Sequence, residues 1–264
     1  MKYFLDKKEI EISKKFKKEG YIISKINNKK SLNYIKNLIN YNLKKILRIK
    51  NKSSINLNNI HLLINKENLN EIRVNLISAI NKDKNFRFHY FSLAKEFIYI
   101  LTGNELMMQK NINLSIQFPN DKSSLLPVHS DVWSGDSPHE INLWVPLVNC
   151  YKTKSMYILK QKDNKFFEKK MKKNKYKNSE QIFNLIRKKV KWINIKNGEF
   201  LLFNQSLPHG NVENIVKETR VSMNCRFKTL YSPYGDKKIG EFFLPITTRA
   251  MSDIAMKFEY PFKK

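Results

Sequence analysis

The sequence is poor in the residues that bend and cross-link a chain: its 264 residues hold 7 Gly, 8 Pro and 2 Cys. There is no G-x-G-x-x-G loop, and strands do not alternate with helices, which sets aside a doubly wound nucleotide-binding sheet. Cys150 and Cys225 make neither a disulfide framework nor a metal-binding spacing, which fits a reducing compartment. No stretch approaches the roughly 18 uninterrupted apolar residues of a membrane span. The opening MKYFLDKKEIEI lacks the apolar core of a secretory signal, so the expectation is a cytoplasmic protein. Acidic residues are scarce too, 23 against 50 Lys plus Arg, for a net charge of +27. Such an excess suits nucleic acid or another anionic surface. It is also what AT-rich coding produces, since Lys, Asn and Ile are over-used together. The diffuse spread of the charge favours the compositional reading.

What is present is a chain that is 41% hydrophobic, enough to bury a core, and of a length that suits one domain over 1–264. Residues 1–110 read as mainly helical. FKKEGYIISKI predicts a helix end, a glycine and a strand. SLNYIKNLINYNLKKIL predicts a helix with Ser31 as its N-cap and apolar residues at helical spacing. ENLNEIRVNLISAINKD and HYFSLAKEFIYILTG predict two more, the second ending at Gly103. From about 110 the period changes to two. NINLSIQF, INLWVPL, SMYIL, WINI, GEFLLF and TRVSMNCRFKTL read as strands. Helices followed by a run of short strands imply an α+β fold, or a barrel over 111–250 with helices packed outside. Residues 160–191 carry 13 Lys plus Arg against Asp163, Glu168 and Glu180, a local net of +10. That stretch reads as a mobile insertion or lid, or as a solvated surface loop.

Two of the five histidines, with one acid, form His-x-Asp … His. His129 and Asp131 stand at i and i+2, which share a face on extended backbone, and His209 follows 78 residues after Asp131. Two imidazoles and a carboxylate on one face of an octahedron are the facial triad of non-haem Fe(II) oxygenases, whose open positions take a bidentate 2-oxo acid and dioxygen. A surface His beside a loop-capping Asp would give the same letters, and three observations separate the readings. Residues 125–150 contain no Lys or Arg, where the average of 50 in 264 predicts about five. Exclusion of cations fits a cation site, as does burial. GEFLLFNQSLPHGN places His209 just past an apolar strand, next to a Gly that permits close approach. Eleven residues on, Arg220, Ser222, Asn224 and Arg226 alternate with Val221, Met223, Cys225 and Phe227. If the apolar face packs on the core, two arginines point inward and require anionic partners. The distal carboxylate of 2-oxoglutarate matches Arg220 bidentately, with Ser222 adding a hydroxyl. The other possibility is a solvent-exposed face.

On these motifs the chain resembles the 2-oxoglutarate/Fe(II) oxygenases with a double-stranded β-helix core. HSDVWSGDSPHEINLWVPL and HGNVENIVKETRVSMNCRFKTLYSPYG narrow the resemblance to the oxygenases of sporadic carbohydrate-biosynthesis clusters. These are akin to the streptomycin-cluster oxygenase and, more distantly, to the phytanoyl-CoA hydroxylase group. The resemblance spans roughly 110–250 and finds little to match in 160–191. It implies a jelly-roll or cupin-like barrel with flanking N-terminal helices. It also implies iron on His129, Asp131 and His209, 2-oxoglutarate on Arg220 and Ser222, and O2 as co-substrate. Gln117 and Asn142 are further candidates for the cosubstrate. Trp133, Trp144, Asn224 and Arg226 are candidates for the substrate, a small or sugar-linked molecule. His139 reads as a loop residue, not a ligand. The carboxylate at Asp131 argues against a halogenase.

Two other readings stay open. The Arg220-x5-Arg226 spacing is similar to that of the alkylation-repair dioxygenases. Their pattern, R-x-N-x-T-x-R, has Asn and Thr where this chain has Ser222 and Asn224, which weighs against nucleic acid. A non-catalytic metal-binding barrel is the second, since fold alone decides nothing. The sequence leaves substrate and oligomeric state open.

Overall fold

A left-handed glycine joins the first helix to the first strand. In the computed structural model, which describes residues 4–51, 53–173 and 178–262, α1 (Lys7–Glu19) starts with a capping box. The Asp6 side chain accepts from the Glu9 backbone N–H, and the Glu9 side chain accepts from that of Asp6. It ends at Gly20, φ +81°, and the chain leaves as β1 (Tyr21–Lys25). Helix α2 (Lys29–Leu47) buries Leu32, Ile35, Ile39 and Leu43, the face its spacing predicts. Its cap differs from the expectation. Asn28, not Ser31, is the N-cap: its side chain accepts from the Ser31 N–H, and the Ser31 hydroxyl is hydrogen-bonded to His89 Nδ1 at 3.0 Å.

Helix α3 (Leu69–Asn81) follows. The single helix expected next is two, α4 (Phe86–Ser92) and α5 (Lys95–Thr102), broken at Ala94, whose φ of −137° is not helical. Gly103 ends α5 as expected. The strands are β2 (Leu106–Gln109), β3 (Asn113–Gln117), β4 (Ile141–Pro146), β5 (Tyr157–Leu159), β6 (Val190–Trp192), β7 (Glu199–Asn204), β8 (His209–Gly210), β9 (Arg220–Thr229) and β10 (Phe243–Thr247). Three are absent from the sequence reading: β2, the two-residue β8 and β10. LMMQ of β2 is buried on both faces and has no alternation to show, and β10 contains Pro245.

All named strand pairs are antiparallel. The larger sheet runs β1-β7-β4-β9-β2-β10, with β3 paired to the first half of β9; the smaller runs β6-β5-β8. The fold is thus mixed helix and antiparallel sheet. On one face of the larger sheet Val221, Met223, Cys225 and Phe227 join Leu143 and Val145 in a core closed by α2 to α5. Each such apolar side chain contributes roughly 1.5–3 kcal/mol by leaving water. A polar group driven into it, the Tyr90 hydroxyl, donates to the Leu143 carbonyl at 2.8 Å. The other face meets the smaller sheet: Trp144, Leu201 and Phe203 pack on Ile158, Ile193 and Ile195. The polar residues of β9 lie between the two sheets.

The described part of the Lys-rich stretch, read as an insertion or lid or as a surface loop, is mainly helical. It contains α6 (Gln161–Lys173) and α7 (Ser179–Ile186), whose Phe167 and Ile186 are buried with Tyr157 and Leu159 of β5. Apolar residues spaced at helical intervals among lysines form no run, which hid them. Residues 174–177 of that stretch, and the first three of the N-terminal segment read for a signal, lie outside the described residues. A last helix, α8 (Ala250–Ala255), follows β10. Among the described residues no helix is long and apolar enough to cross a membrane.

The Gly20 corner is testable. A Cβ there would sit 2.3 Å from Leu207 Cδ1, a fully buried side chain, on backbone that L-residues avoid. Gly20→Ala is expected to lower stability by about 1–2 kcal/mol. The expected signature is a lower urea midpoint at unchanged m-value.

Candidate metal centre

The ligand set is built by one short backbone contact. His129 and His209 pair as an isolated antiparallel bridge and exchange both hydrogen bonds, at 2.9 and 2.8 Å. Their rings lie side by side, centroids 4.3 Å apart. Two residues on, Asp131 is pinned by its own N–H to the Gln205 carbonyl at 3.1 Å. Asp131 opens a 3-10 turn that ends at Gly135, φ +84°. Asp131 Oδ1 lies 3.6 Å from His129 Nε2 and 4.0 Å from His209 Nε2. The three ligand atoms fall within 4.8 Å of one another. Gly210 has the role its position suggested, since a Cβ there would lie 2.8 Å from the Leu126 carbonyl oxygen.

The imidazoles are oriented for a metal. Each Nδ1 lies 2.8 Å from the carbonyl two residues back, Pro127 for His129 and Leu207 for His209. A carbonyl only accepts, so each Nδ1 carries the proton and each Nε2 offers its lone pair to the site. Burial lowers the His209 pKa to about 4, so its ring is neutral and available at physiological pH. For Asp131, burial pushes the carboxyl up, but His209 and Arg226 pull it further down, below the usual carboxylate range. Since His209 is uncharged at neutral pH, the standing cation is Arg226. Asp131 Oδ2 is buried without a hydrogen-bond partner. An ionised carboxylate with an orphaned oxygen between two aimed imidazoles fits a divalent cation.

Arg226, a substrate candidate from sequence, is placed on the ligand instead. Its Nη2 lies 3.2 Å from Asp131 Oδ1 and its Nε donates to Gln205 Oε1 at 2.9 Å, with Asp136 at 3.7 Å. Gln205 in turn donates to Glu140 at 2.7 Å. Sequence reasoning missed Asp136, Glu140 and Gln205. Asp136 and Glu140 lie inside HSDVWSGDSPHEINLWVPL and Gln205 inside GEFLLFNQSLPHGN, but neither stretch assigned them a role, and only the absence of lysine between 125 and 150 hinted at the first two.

The cavity beside the triad has a volume of about 540 Å³. Arg220 lines it, is 3% exposed, and donates to the Ser155 carbonyl at 3.3 Å and to Ser115 Oγ at 3.1 Å. Its Nε has no partner, and no carboxylate pairs with it among the described residues. Burial lowers its pKa to about 10, which leaves it charged at neutral pH. Beside it the hydroxyls of Ser222 and Ser155 and the Gln117 Oε1 are also buried without partners. This resolves the sequence alternative, because the polar face of β9 points inward at Arg220 and Ser222 and is not a solvated face. Asn142, Trp144 and Asn224 line the cavity, and Asn142 Oδ1 lacks a partner. Gln117 sits across the ladder from Arg220, and its amide donates to the Val212 carbonyl at 2.7 Å. Trp133 is not a cavity wall. It is 47% exposed and stacks on Phe167 of α6. His139 is exposed and outside the cluster.

No family model matches the chain, and no curated protein matches it. Solved structures do. The chain is similar to ThoJ, described as a non-heme monooxygenase in a nickel complex, with a TM-score of 0.59 at 12% identity, covering 90% of this chain and 84% of that one. It is similar to SnoK, a non-heme alpha-ketoglutarate-dependent carbocyclase from nogalamycin biosynthesis, with a TM-score of 0.55 at 12% identity over 92% and 97% of the two chains. EctD from S. alaskensis, in its apoform, gives 0.52 at 13% identity over 87% and 79%. At such identities the likeness shows a shared fold.

Two expectations follow. Arg226→Gln should weaken cobalt(II) binding about 10–100-fold, as loss of a group that orients a metal ligand does; calorimetric titration measures it. Metal-free protein should also be acid-sensitive through His209. Between its folded pKa of about 4 and the ordinary 6.5, the unfolded chain binds a proton that the folded chain does not. The contribution is complete above 6.5 and is lost as pH falls towards 4, on the order of 2–3 kcal/mol. The fall in Tm over that range should be steeper in wild type than in His209→Gln.

Proposed function

We propose that the protein is a non-haem Fe(II)-dependent oxygenase that uses 2-oxoglutarate and O2 to oxidise a C–H bond of a small molecule, a carbohydrate or a carbohydrate-linked intermediate. The observation that carries this reading is the buried, unpaired guanidinium of Arg220 in the same cavity as His129, Asp131 and His209. A metal triad alone fits many functions. A triad beside a desolvated cation fits a metal site that also takes a dicarboxylate, one end near the metal and the other on the arginine. The fold shared with ThoJ and SnoK supports the same reading.

His129 Nε2, His209 Nε2 and Asp131 are the candidate iron ligands, with both imidazoles held in the correct tautomer from behind. When bound, iron and 2-oxoglutarate supply the oxidation of the substrate by dioxygen, with succinate and CO2 as co-products. The chain's own residues do the remaining work. Arg226 holds the Asp131 carboxylate ionised and in place. Arg220, with the Ser222 hydroxyl, receives the distal carboxylate, and Gln117 stands next to it. Asn142 and Asn224 offer amides to a bound molecule, and the Trp144 and Phe203 rings exclude water beside them. Helix α6, stacked on Trp133, is the candidate cover.

Anaerobic Fe(II) plus 2-oxoglutarate should give a weak visible charge-transfer band that is lost in His129→Ala. Folded wild-type protein that shows no band would sink the proposal. Arg220→Met makes a sharper test, because it separates function from structure. It should weaken 2-oxoglutarate binding about a hundred-fold while leaving the ligand-free Tm unchanged or higher, since removing an unpaired buried charge does not destabilise. A lower Tm with intact binding would assign Arg220 to the scaffold instead.

A further inference from the structure

The cavity holds more positive charge than the proposed cofactors need. Its charged lining residues, apart from the histidines, are Arg73, Asp131, Arg220 and Arg226. Asp131 is matched by Arg226, and 2-oxoglutarate would match Arg220. Arg73, on α3, is left over. Its hydrogen bond runs to the neutral amide of Asn70 at 2.6 Å, one turn back on the same helix, and it forms no ion pair among the described residues.

The residue type is informative in this chain. Of its 50 cationic residues 43 are Lys and 7 are Arg. No lysine lines the cavity, yet three of the seven arginines do. Where composition presses every exposed cation towards lysine, an arginine marks a place that needs a flat, five-donor group. That group binds carboxylate and phosphate in two-pronged fashion, and lysine does not replace it. Val74 and Leu126, each 54% exposed, line the same cavity.

We infer that the substrate of this site carries an oxyanion, a carboxylate or a phosphate ester, and that Arg73 receives it while Val74 and Leu126 cover the adjoining carbon. The inference rests on the oxygenase reading for the word substrate. The oxyanion site itself stands on the cavity and its unmatched cation.

The test is a calorimetric titration, under nitrogen, of protein loaded with cobalt(II) and 2-oxoglutarate, so that Arg220 is occupied. The probes are phenyl phosphate, phenylacetate and uncharged benzyl alcohol. At least one oxyanion should bind more tightly than the alcohol. Arg73→Gln should weaken the oxyanions about tenfold or more and leave benzyl alcohol unchanged. Arg73→Lys should restore part of the loss, and 2-oxoglutarate binding should be the same in all three proteins. A preference between the two oxyanions identifies the source. Equal oxyanion affinity in wild type and Arg73→Gln overturns the inference. So does benzyl alcohol binding as tightly as its charged counterparts, or no oxyanion binding at millimolar concentration. If 2-oxoglutarate fails to bind wild type, the oxygenase reading falls by itself. The same titration on metal-free Arg220→Gln, in which Arg73 is the cavity's unmatched cation, then decides the oxyanion site independently. Arg73 is only half-buried and forms no ion pair among the described residues, so unchanged circular dichroism is expected for both of its variants.

Discussion

One ten-residue strand imposes the main constraint on this molecule. Strand β9 has a core on one face and charge on the other. Val221, Met223, Cys225 and Phe227 are fixed under the helices, so the strand cannot slip by one residue without exposing all four. That register forces Arg220, Ser222, Asn224 and Arg226 between the two sheets, whatever the charges cost there. Arg226 meets Asp131 and Asp136. Arg220 meets only a carbonyl and a hydroxyl. The folding of the hydrophobic face thus holds a cation in a dry place without its counter-charge. A ligand that brings the counter-charge gains the difference. The anion affinity proposed for this site would therefore follow from strand geometry and need no mobile element.

The metal ligands depend on the same strand at one remove. His129 and His209 belong to the smaller sheet and its bridge, and Asp131 to the turn that follows. From the larger sheet Arg226 reaches Asp131 across the interior, and the Phe203 ring packs edge-on against His209. The turn is also clamped from outside. Asp236 donates its N–H to the Gly135 carbonyl at 2.7 Å, and a Cβ at Gly235 would lie 2.1 Å from that same oxygen. Gly235 is required by that close approach of two backbones, whereas Gly135, φ +84°, stands against the Asp236 side chain. The carboxylate is consequently held from three directions: by its own N–H on Gln205, by Arg226, and by the packed turn. A cation entering between the imidazoles meets a ligand that has little freedom left to lose, which favours tight and geometrically selective coordination.

Much of this was legible in the sequence wherever a period or a spacing carried the information. The alternation in RVSMNCRF gave the strand, its two faces and the inward arginines. His-x-Asp gave two ligands on one face, and the Gly after His209 gave the close backbone approach. What stayed hidden had no local signature. Strand β2 is buried on both sides and so does not alternate. Helices α6 and α7 are diluted by lysines, so their buried Phe167 and Ile186 do not stand out. The role of Arg226 depended on which carboxylate would face it from a segment some ninety residues earlier, a tertiary fact that no pattern encodes. Trp133 misled for a related reason. Proximity to a ligand in the chain is not proximity in the cavity, because the 3-10 turn at Asp131 rotates the next side chains outwards, and Trp133 meets α6.

The net charge of +27 can now be separated into two parts with different causes. Most of it is lysine spread over helices and loops, where a long solvated ammonium costs little and its exact position matters little. That part carries no argument for a partner. The arginines follow another rule. They are few, and three of them converge on one cavity that excludes lysine entirely. Codon bias explains why a chain is cationic, but not why it changes the kind of cation at one place. A bias towards lysine acts uniformly, so local departure from it measures a local requirement. The requirement proposed here is planar recognition of oxyanions in that cavity. The same logic accounts for the cation-free segment 125–150, which runs through the ligand turn and into β4, where an added positive charge would compete with a metal for Asp131.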